Sequence, residues 1–268
     1  MIKIENLQFK YDSNQGLIID NISLEIKQGE HVVIVGNNGS GKTTLFKLLA
    51  ALYKPLDGNI FIDNIIYTKD NIDNIRKDIG IIFQNPDDQF IGMTVEDDIA
   101  FGLENRQIES NDIKKKIDEI ASKFSINNIL KKEPNKLSGG QKQKVAIASV
   151  FALDPKIFLF DEITSMLDYK SQKDIMDLIE SIKKEKDKTI ISTSHNINEI
   201  LLADKLILLN KGKLIAYESV DKILNNKKIM KLWDIELPLK NGLLSNDIVM
   251  KKLLKYNLNL ENHENKNK

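Results

Sequence analysis

The sequence predicts an α/β protein with a parallel-sheet core, an antiparallel β region, an inserted helical region and a small C-terminal helical extension. Short apolar runs rich in β-branched residues at 31–35, 157–160 and 189–193 are typical of strands buried on both faces of a parallel sheet. Apolar and polar residues alternate over 22–27, which predicts an antiparallel strand with one face in water. In the middle of the chain, between the predicted strands, residues 86–153 carry apolar residues at helical spacing.

The N-terminal third is expected to be mostly strand. Its predicted elements are strands at 2–11, 18–27 and 31–35, a helix at 42–52, a hairpin at 59–63 and 65–67, and a strand at 79–83. The helix prediction rests on leucines at helical spacing, namely Leu45, Leu48, Leu49 and Leu52. Pro55 and Gly58 then turn the chain into the hairpin.

The remainder is expected to alternate helices and strands. Helices are predicted at 95–103, 113–124 and 145–153, and a further helix at 171–184 joins the strands at 157–160 and 189–193 into a βαβ unit. Strands at 206–209 and 213–217 close the sheet. These elements predict one domain at 1–225, with a core at 1–85 and 154–225 and a helical subdomain at 86–153. A helical extension at 226–260 and a disordered tail at 261–268 follow.

Composition narrows the choice of partners. Lys+Arg and Asp+Glu are both 39 in a chain of 268 residues, so no net field attracts nucleic acid or an anionic membrane. Cysteine is absent, which fits a reducing compartment. No apolar run approaches the roughly 18 residues that predict a membrane span. We therefore expect no nucleic-acid partner, and membrane contact only through partner proteins.

A phosphate-binding loop lies between a predicted strand and a predicted helix. It matches G-x-x-x-x-G-K-[ST] through Gly36, Asn37, Asn38, Gly39, Ser40, Gly41, Lys42 and Thr43, followed by Thr44. The glycines let successive N–H groups point inward, and the helix N-terminus adds positive charge. Lys42 is expected to reach the β- and γ-phosphates and Thr43 to ligate Mg²⁺. A chance match occurs in about one chain of this length in a hundred, so we predict binding of a nucleoside triphosphate.

Other polar side chains follow the ends of predicted strands. Asp161 and Glu162 end one strand, and ligands of open parallel sheets lie outside such ends. Asp161 is placed to hold Mg²⁺, and Glu162 to orient or deprotonate the attacking water. A lone Asp-Glu pair is more often a solvated strand end, but the upstream phosphate loop reverses that preference. His195 could bind the γ-phosphate or the water, although a lone histidine is more often a satisfied surface or core residue. Gln84, by itself a weak candidate, could reach the metal or the water.

A second glycine motif opens a predicted helix. It reads Leu137, Ser138, Gly139, Gly140 and Gln141. A serine N-cap followed by glycines can bind an anion at a helix start, but it is equally an ordinary helix cap. The residues of this motif alone do not decide between an anion-binding site and an ordinary helix cap.

Taken in order, these motifs resemble the nucleotide-binding subunit of an ABC transporter over roughly residues 1–225. The resemblance implies a RecA-like P-loop core and two subunits that meet head to tail around two ATP molecules. Each phosphate loop would face Ser138, Gly139, Gly140 and Gln141 of the partner, and Asp168 would lie in the loop that crosses the interface. It also implies that Tyr11 stacks on adenine.

A narrower resemblance concerns residues 83–90 and 94–105 and the Thr-Ser-Met-Leu-Asp run that ends at Asp168. These are similar to the first of the two paralogous ATPases of energy-coupling factor (ECF) importers of vitamins and metals. The resemblance implies a second, paralogous ATPase, a transmembrane coupling subunit and a substrate-binding membrane subunit, at the cytoplasmic face of the membrane. Residues 85–90 would line the groove for coupling helices, and the segment 233–254 would be a subunit contact. Ile163, Tyr169 and Lys144 depart from the usual pattern without removing a chemical group from the site.

Several alternatives remain at this stage. An ATPase of another ABC transporter class is one. A soluble ABC ATPase of DNA repair would carry a long coiled coil, yet only about 95 residues separate Lys42 from Ser138, and translation factors carry two modules in tandem. A non-hydrolysing regulatory partner would usually lack Glu162 or His195, and a P-loop kinase has no use for the second glycine motif. The transported substrate and the choice between homodimer and heterodimer stay open.

Overall fold

The computed structural model describes residues 1–14, 16–226 and 228–230. Within them, the N-terminal third is mostly strand, and helices and strands are interleaved from residue 157 onward, as the sequence predicts. The strands are β1 (Ile2–Phe9), β2 (Ile19–Ile26), β3 (His31–Val35), β4 (Asp57–Ile62), β5 (Ile65–Ile66), β6 (Ile79–Ile82), β7 (Ile157–Asp161), β8 (Thr189–Thr193), β9 (Lys205–Asn210) and β10 (Lys213–Ser219). The helices are α1 (Lys42–Leu49), α2 (Ile72–Lys77), α3 (Val95–Asn105), α4 (Ser110–Lys123), α5 (Gly139–Ala152), α6 (Tyr169–Lys183), α7 (Ile197–Leu202) and α8 (Val220–Leu224).

The strands form two sheets. The first has the order β2-β1-β4-β5 and is antiparallel, and the second has the order β10-β9-β3-β8-β7-β6. In the second sheet β9, β3, β8, β7 and β6 run parallel, and β10 pairs antiparallel with β9 at the edge. The predicted fold class, a parallel core with an antiparallel β region and a helical insertion, is therefore confirmed.

Two hydrophobic cores lie on opposite faces of the parallel sheet. Alternate residues of β3 divide between them, because Val32 and Ile34 pack with α1 and the antiparallel sheet, whereas Val33 and Val35 pack with the helices. All four side chains are at most 1% exposed. Burial on both faces explains why these strands read as continuous apolar runs.

The segment between β6 and β7 is helical throughout its regular structure. It contains α3, α4 and α5 and three short 3-10 helices at Pro86–Asp88, Asn127–Ile129 and Pro134–Lys136. Helix α4 buries the predicted stripe of Ile113, Ile117, Ile120 and Ala121. Thr94 and Asp97 form a capping box that starts α3.

The helix after the phosphate loop ends earlier than predicted. Helix α1 stops at Leu49, and Leu52 is 44% exposed rather than on the buried stripe. Ala51 adopts a left-handed φ of 56°, and the N–H groups of Ala51 and Leu52 bond back to the carbonyls of Leu48 and Lys47. This is a Schellman ending, which Ala51 completes although glycine is usual there.

The predicted extension at 226–260 and tail at 261–268 lie outside the described residues, apart from residues 226 and 228–230. Of the helices in the described ranges, none has the length and apolar character that crossing a bilayer requires.

Candidate active site

The phosphate loop connects β3 to α1 at the carboxyl edge of the parallel sheet. Gly36, Gly39 and Gly41 have φ values of 147°, 75° and 104°, a region that favours glycine. A Cβ on Gly36 would lie 2.3 Å from the carbonyl oxygen of Leu209, so only glycine lets the loop leave the sheet here. The motif glycines therefore create the loop's curvature, and Gly41 is the N-cap of α1.

Lys42 is held inside the curve of this loop. Its Nζ donates to the carbonyl oxygens of Gly36 at 2.8 Å and Asn37 at 3.2 Å, and the residue is 7% exposed. Burial lowers the pKa of the ammonium, and the negative charges of Glu162 and Asp161 oppose that shift. The cation is thus held in place by backbone oxygens and faces two carboxylates.

A cavity of about 310 Å³ lies in front of the loop, lined by Tyr11, Ile18, residues 38–44 and Glu162. Inside the loop, Ser40 Oγ is buried and has no hydrogen-bond partner among the described residues. A buried hydroxyl without a partner is costly, and a phosphate oxygen would satisfy it. The size, the N–H-rich wall and this hydroxyl fit the phosphates of a nucleotide.

Tyr11 lies at the mouth of the cavity. It is two residues beyond the end of β1 rather than within the predicted strand, and it is 50% exposed. Its hydroxyl shares a 2.9 Å hydrogen bond with Thr44 Oγ1. Its ring is edge-on to Phe9 at 5.1 Å and to Tyr53 at 5.6 Å. Tyr53 was not predicted to be near the site, because it reaches Tyr11 only after α1 ends early.

The acidic end of β7 is tied to the end of β8. Asp161 pairs in register with Thr193, whose hydroxyl donates to Asp161 Oδ1 at 2.6 Å and accepts from the Glu162 N–H at 3.1 Å. Glu162 has a left-handed φ of 46°, which is unusual for a residue with a side chain. The reversal turns its carboxylate toward the cavity. Thr193 was missed in the sequence, although it ends the strand two residues before His195.

Glu162 is the meeting point of the other predicted residues. Gln84 Nε2 donates to Glu162 Oε2 at 3.4 Å and to Ser165 Oγ at 3.1 Å. His195 Nε2 lies 3.6 Å from Glu162 Oε1, with the imidazole 47% and the carboxylate 25% exposed. The structure thus brings Gln84, Glu162 and His195 together, with Glu162 lining the cavity of the phosphate loop.

The predicted Mg²⁺ ligands are Thr43, Gln84 and Asp161. Among the described residues, no group of three or more His, Cys, Asp or Glu side chains could hold a metal. Mg²⁺ usually takes one or two carboxylates and completes its shell with water and substrate phosphates. One carboxylate with a hydroxyl and an amide oxygen beside a phosphate loop is a donor set of this kind.

The second glycine motif lies elsewhere and does not line the cavity. Ser138 is the N-cap of α5, and with Gln141 it forms a capping box, in which Gln141 N donates to Ser138 Oγ at 3.4 Å and Ser138 N to Gln141 Oε1 at 3.1 Å. A Cβ on Gly140 would lie 2.3 Å from Ser171 Oγ on α6, whereas one on Gly139 would meet nothing closer than 3.7 Å. The motif is an exposed helix start packed beside α6.

Asp168 begins that neighbouring helix. Its carboxylate accepts from Ser171 N at 3.1 Å and Ser171 Oγ at 2.8 Å, and these bonds, the backbone one first, lower the pKa of Asp168. Met166 and Tyr169 beside it are 68% and 43% exposed. The loop thus presents apolar side chains on the surface.

Comparison with known families and proteins points in one direction. The profile of the ABC transporter family matches residues 19–165. The energy-coupling factor transporter ATP-binding protein EcfA1 of Mycoplasmopsis synoviae is 53% identical over 239 residues, which cover 89% of this chain and 90% of that protein. The corresponding EcfA protein of Pediococcus pentosaceus is 44% identical and covers 89% and 85%.

Solved structures give the same result. CbiO1 from Clostridium perfringens, described as part of the ABC transporter complex cbiONQ, has a TM-score of 0.78 and 33% identity, covering 88% of this chain and 95% of that one. A dimeric ATP-binding cassette in a post-hydrolysis state, bound to ADP and Pi, has a TM-score of 0.73 and 32% identity, covering 82% and 99%.

Proposed function

Because this chain is an ABC ATPase and belongs to the energy-coupling factor transporter ATP-binding proteins, we propose that it powers ECF-type import of vitamins, other micronutrients or metal ions. The observation that supports hydrolysis most directly is the position of Glu162. It lines the cavity of the phosphate loop and contacts both Gln84 and His195.

Nucleotide binding is assigned to the loop and its surroundings. The N–H groups of residues 36–44 and the Lys42 ammonium hold the phosphates, and Ser40 Oγ bonds a phosphate oxygen. Tyr11 stacks on adenine, with its ring oriented by edge contacts to Phe9 and Tyr53.

Thr43, Gln84 and Asp161 would hold Mg²⁺. The ion, when bound, neutralises charge on the β- and γ-phosphate oxygens. Thr193 keeps the Asp161 carboxylate oriented for this role through the 2.6 Å hydrogen bond.

Hydrolysis is assigned to the residues around Glu162. Its carboxylate takes a proton from water as the water attacks the γ-phosphate in line with the leaving oxygen. His195 and Gln84 orient the same water and the γ-phosphate. Lys42, held by the loop carbonyls, offsets negative charge that develops on the transferred group.

The site is completed by a second ATPase subunit. Ser138, Gly139 and Gln141 are exposed and Gly140 is partly exposed at a helix start that does not line the cavity of their own chain, so they are available to a partner's nucleotide. Asp168 and the apolar side chains of Met166 and Tyr169 contribute to the interface. The partner is a paralogous ATPase, which makes the native pair a heterodimer.

Transport requires membrane partners, namely a transmembrane coupling subunit and a substrate-binding subunit, which hold the chain at the cytoplasmic face of the membrane. The coupling helices dock beside residues 85–90, where Ile91 and Met93 are 68% and 83% exposed. Lys142 of α5 bonds Asp87 Oδ1 at 2.6 Å, which links this groove to the helix that Ser138 caps. The groove is therefore in direct contact with Lys142, the residue that follows the second glycine motif.

The test is Glu162→Gln in the complex isolated from solubilised membranes with its partner subunits. We expect ATP binding to be retained and hydrolysis to fall by about a hundredfold or more, because the general base is lost. Glu119→Gln on the exposed face of α4 is the matched control and should hydrolyse ATP normally. Near wild-type turnover by the Glu162 variant would disprove the base assignment. Mass identification of the co-purified subunits tests the partners.

A further inference from the structure

A buried carboxyl group lies behind the candidate active site. Glu199 of α7 has 0% exposure, and no pattern in the sequence marks it as a candidate site residue. A carboxyl group that is removed from water needs hydrogen-bond partners of its own. Thr164 Oγ1 donates to Glu199 Oε2, and the hydroxyl groups of Ser192 and Ser194 lie near enough to stabilise the charged carboxylate. Glu199 Oε1 has no hydrogen-bond partner among the described residues.

These hydroxyls belong to the two segments that carry the reacting groups. Thr164 Oγ1 lies 3.5 Å from Glu199 Oε2, in the turn that Ser165 closes by donating its N–H to the Glu162 carbonyl at 3.0 Å. Ser192 and Ser194 flank Thr193 at the end of β8, directly before His195. One carboxyl group therefore bonds the Glu162 turn through Thr164 and lies beside the segment that leads to His195.

The protonation of Glu199 suits this bridging position. Burial raises its pKa to about 7, the three hydroxyls oppose the shift, and the negative charge of Glu162 adds to it. A carboxyl group that holds its proton over part of the neutral range can both donate to and accept from hydroxyls.

Helix α7 also packs on the core through apolar side chains. Ile200 and Leu201 are both fully buried and join the larger hydrophobic core, so they attach the helix to the sheet. The Glu162 backbone, with φ of 46°, persists only where its surroundings restrain it. The contact from Glu199 through Thr164 is one such restraint.

We propose that Glu199 is a positioning residue, which sets the placement of Glu162 relative to His195 through Thr164, Ser192 and Ser194. The inference rests on the proposed roles of Glu162 and His195. It assigns Glu199 no contact with the nucleotide.

The test compares Glu199→Ala and Glu199→Gln in the complex that carries the wild-type partners. Glu199→Ala should lower kcat about tenfold to a hundredfold with KM for ATP changed less than about twofold, because misplaced groups slow chemistry more than binding. Glu199→Gln retains a donor and an acceptor and should recover kcat to within about threefold of wild type. A Gln variant as slow as the Ala variant, or an Ala variant with normal kcat, would overturn the proposal.

Two further variants separate positioning from folding. Ile200→Val should lower Tm by about 2–4 °C without changing kcat, since it alters packing alone. Thr164→Val should lower kcat about fivefold, and adding it to Glu199→Ala should change kcat by less than about twofold because Thr164 acts only through its bond to Glu199. If kcat instead follows Tm across all four variants, the role is structural and the proposal fails.

Failure of the positioning role of Glu199 is distinguishable from failure of the proposed function. If Glu162→Gln hydrolyses ATP normally, the base assignment fails whatever Glu199 does. If Glu162→Gln is inactive and Glu199→Ala is normal, only the positioning role is wrong.

Discussion

The two glycine motifs of this chain both start helices, yet the structure uses them differently. At the phosphate loop the backbone curls inward, Lys42 is buried against loop carbonyls, and a cavity of about 310 Å³ opens in front. At the start of α5 the backbone stays regular, Ser138 and Gln141 cap the helix reciprocally, and both residues are exposed. The first motif encloses space, and the second presents a surface.

The difference shows that a helix N-terminus alone does not make a site within one chain. Both helix starts carry the same partial positive charge, but the phosphate loop also holds a buried cation, Lys42, beside an open cavity. A motif that ends in an open surface acquires a ligand only when a second surface approaches it. This agrees with the proposed head-to-tail pair of ATPase subunits.

The largest expected effect is on nucleotide binding, which should distinguish the phosphate loop from the start of α5. Lys42→Ala should weaken ATP binding to this subunit by roughly a hundredfold, because a buried charged contact to phosphate is lost. Titration with a fluorescent ATP analogue measures it on the purified chain. Lys144→Ala, which removes only a 3.7 Å ion pair to Asp174, is the control and should bind normally. Equal loss in both variants would contradict the assignment.

Ser138→Asp tests the start of α5, which Ser138 caps. Aspartate is also a good N-cap, so α5 should keep its stability, but its charge faces the partner's phosphates. We expect ATP binding by this chain alone to be unchanged and hydrolysis in the assembled complex to fall about tenfold to a hundredfold through charge repulsion. Unchanged hydrolysis by the variant complex would show that Ser138 does not face a nucleotide.

Gly140→Ala tests the contact between α5 and α6. Its Cβ would lie 2.3 Å from Ser171 Oγ and 2.6 Å from Ser171 Cβ, so the helices must separate. We expect a loss of about 1–3 kcal/mol in the free energy of unfolding, measured by denaturant titration. Gly139→Ala has its nearest neighbour at 3.7 Å and should cost less. Ser171→Gly should rescue the Gly140 variant, and absence of rescue would contradict the steric explanation.

The smallest effect concerns the helix that follows the phosphate loop. Ala51 has φ of 56° in the Schellman ending of α1, where glycine carries no steric penalty. Ala51→Gly should therefore raise the free energy of unfolding by about 0.5 kcal/mol. Thermal unfolding checks it, with the neighbouring Ala50→Gly, whose φ is −70°, expected to destabilise. The reverse order of stability would contradict this account of the helix end.

Much of the fold followed from local patterns. The buried runs of β3, β7 and β8 and the stripe on α4 were predicted because each reflects burial on a fixed face. The end of α1 was not, because Leu52 fits the helical period and the left-handed turn at Ala51 has no glycine to mark it.

The candidate site divides in the same way. Lys42, Glu162 and His195 were predicted as site residues from the sequence, since motifs and strand ends are local and parallel strands bring their carboxyl ends to one edge. Tyr53, Thr193 and Glu199 were not, because each is placed by a contact with a residue distant in the chain: Tyr11, Asp161 and Thr164. Local chemistry identifies which groups can react, and long-range packing determines which groups hold them in position.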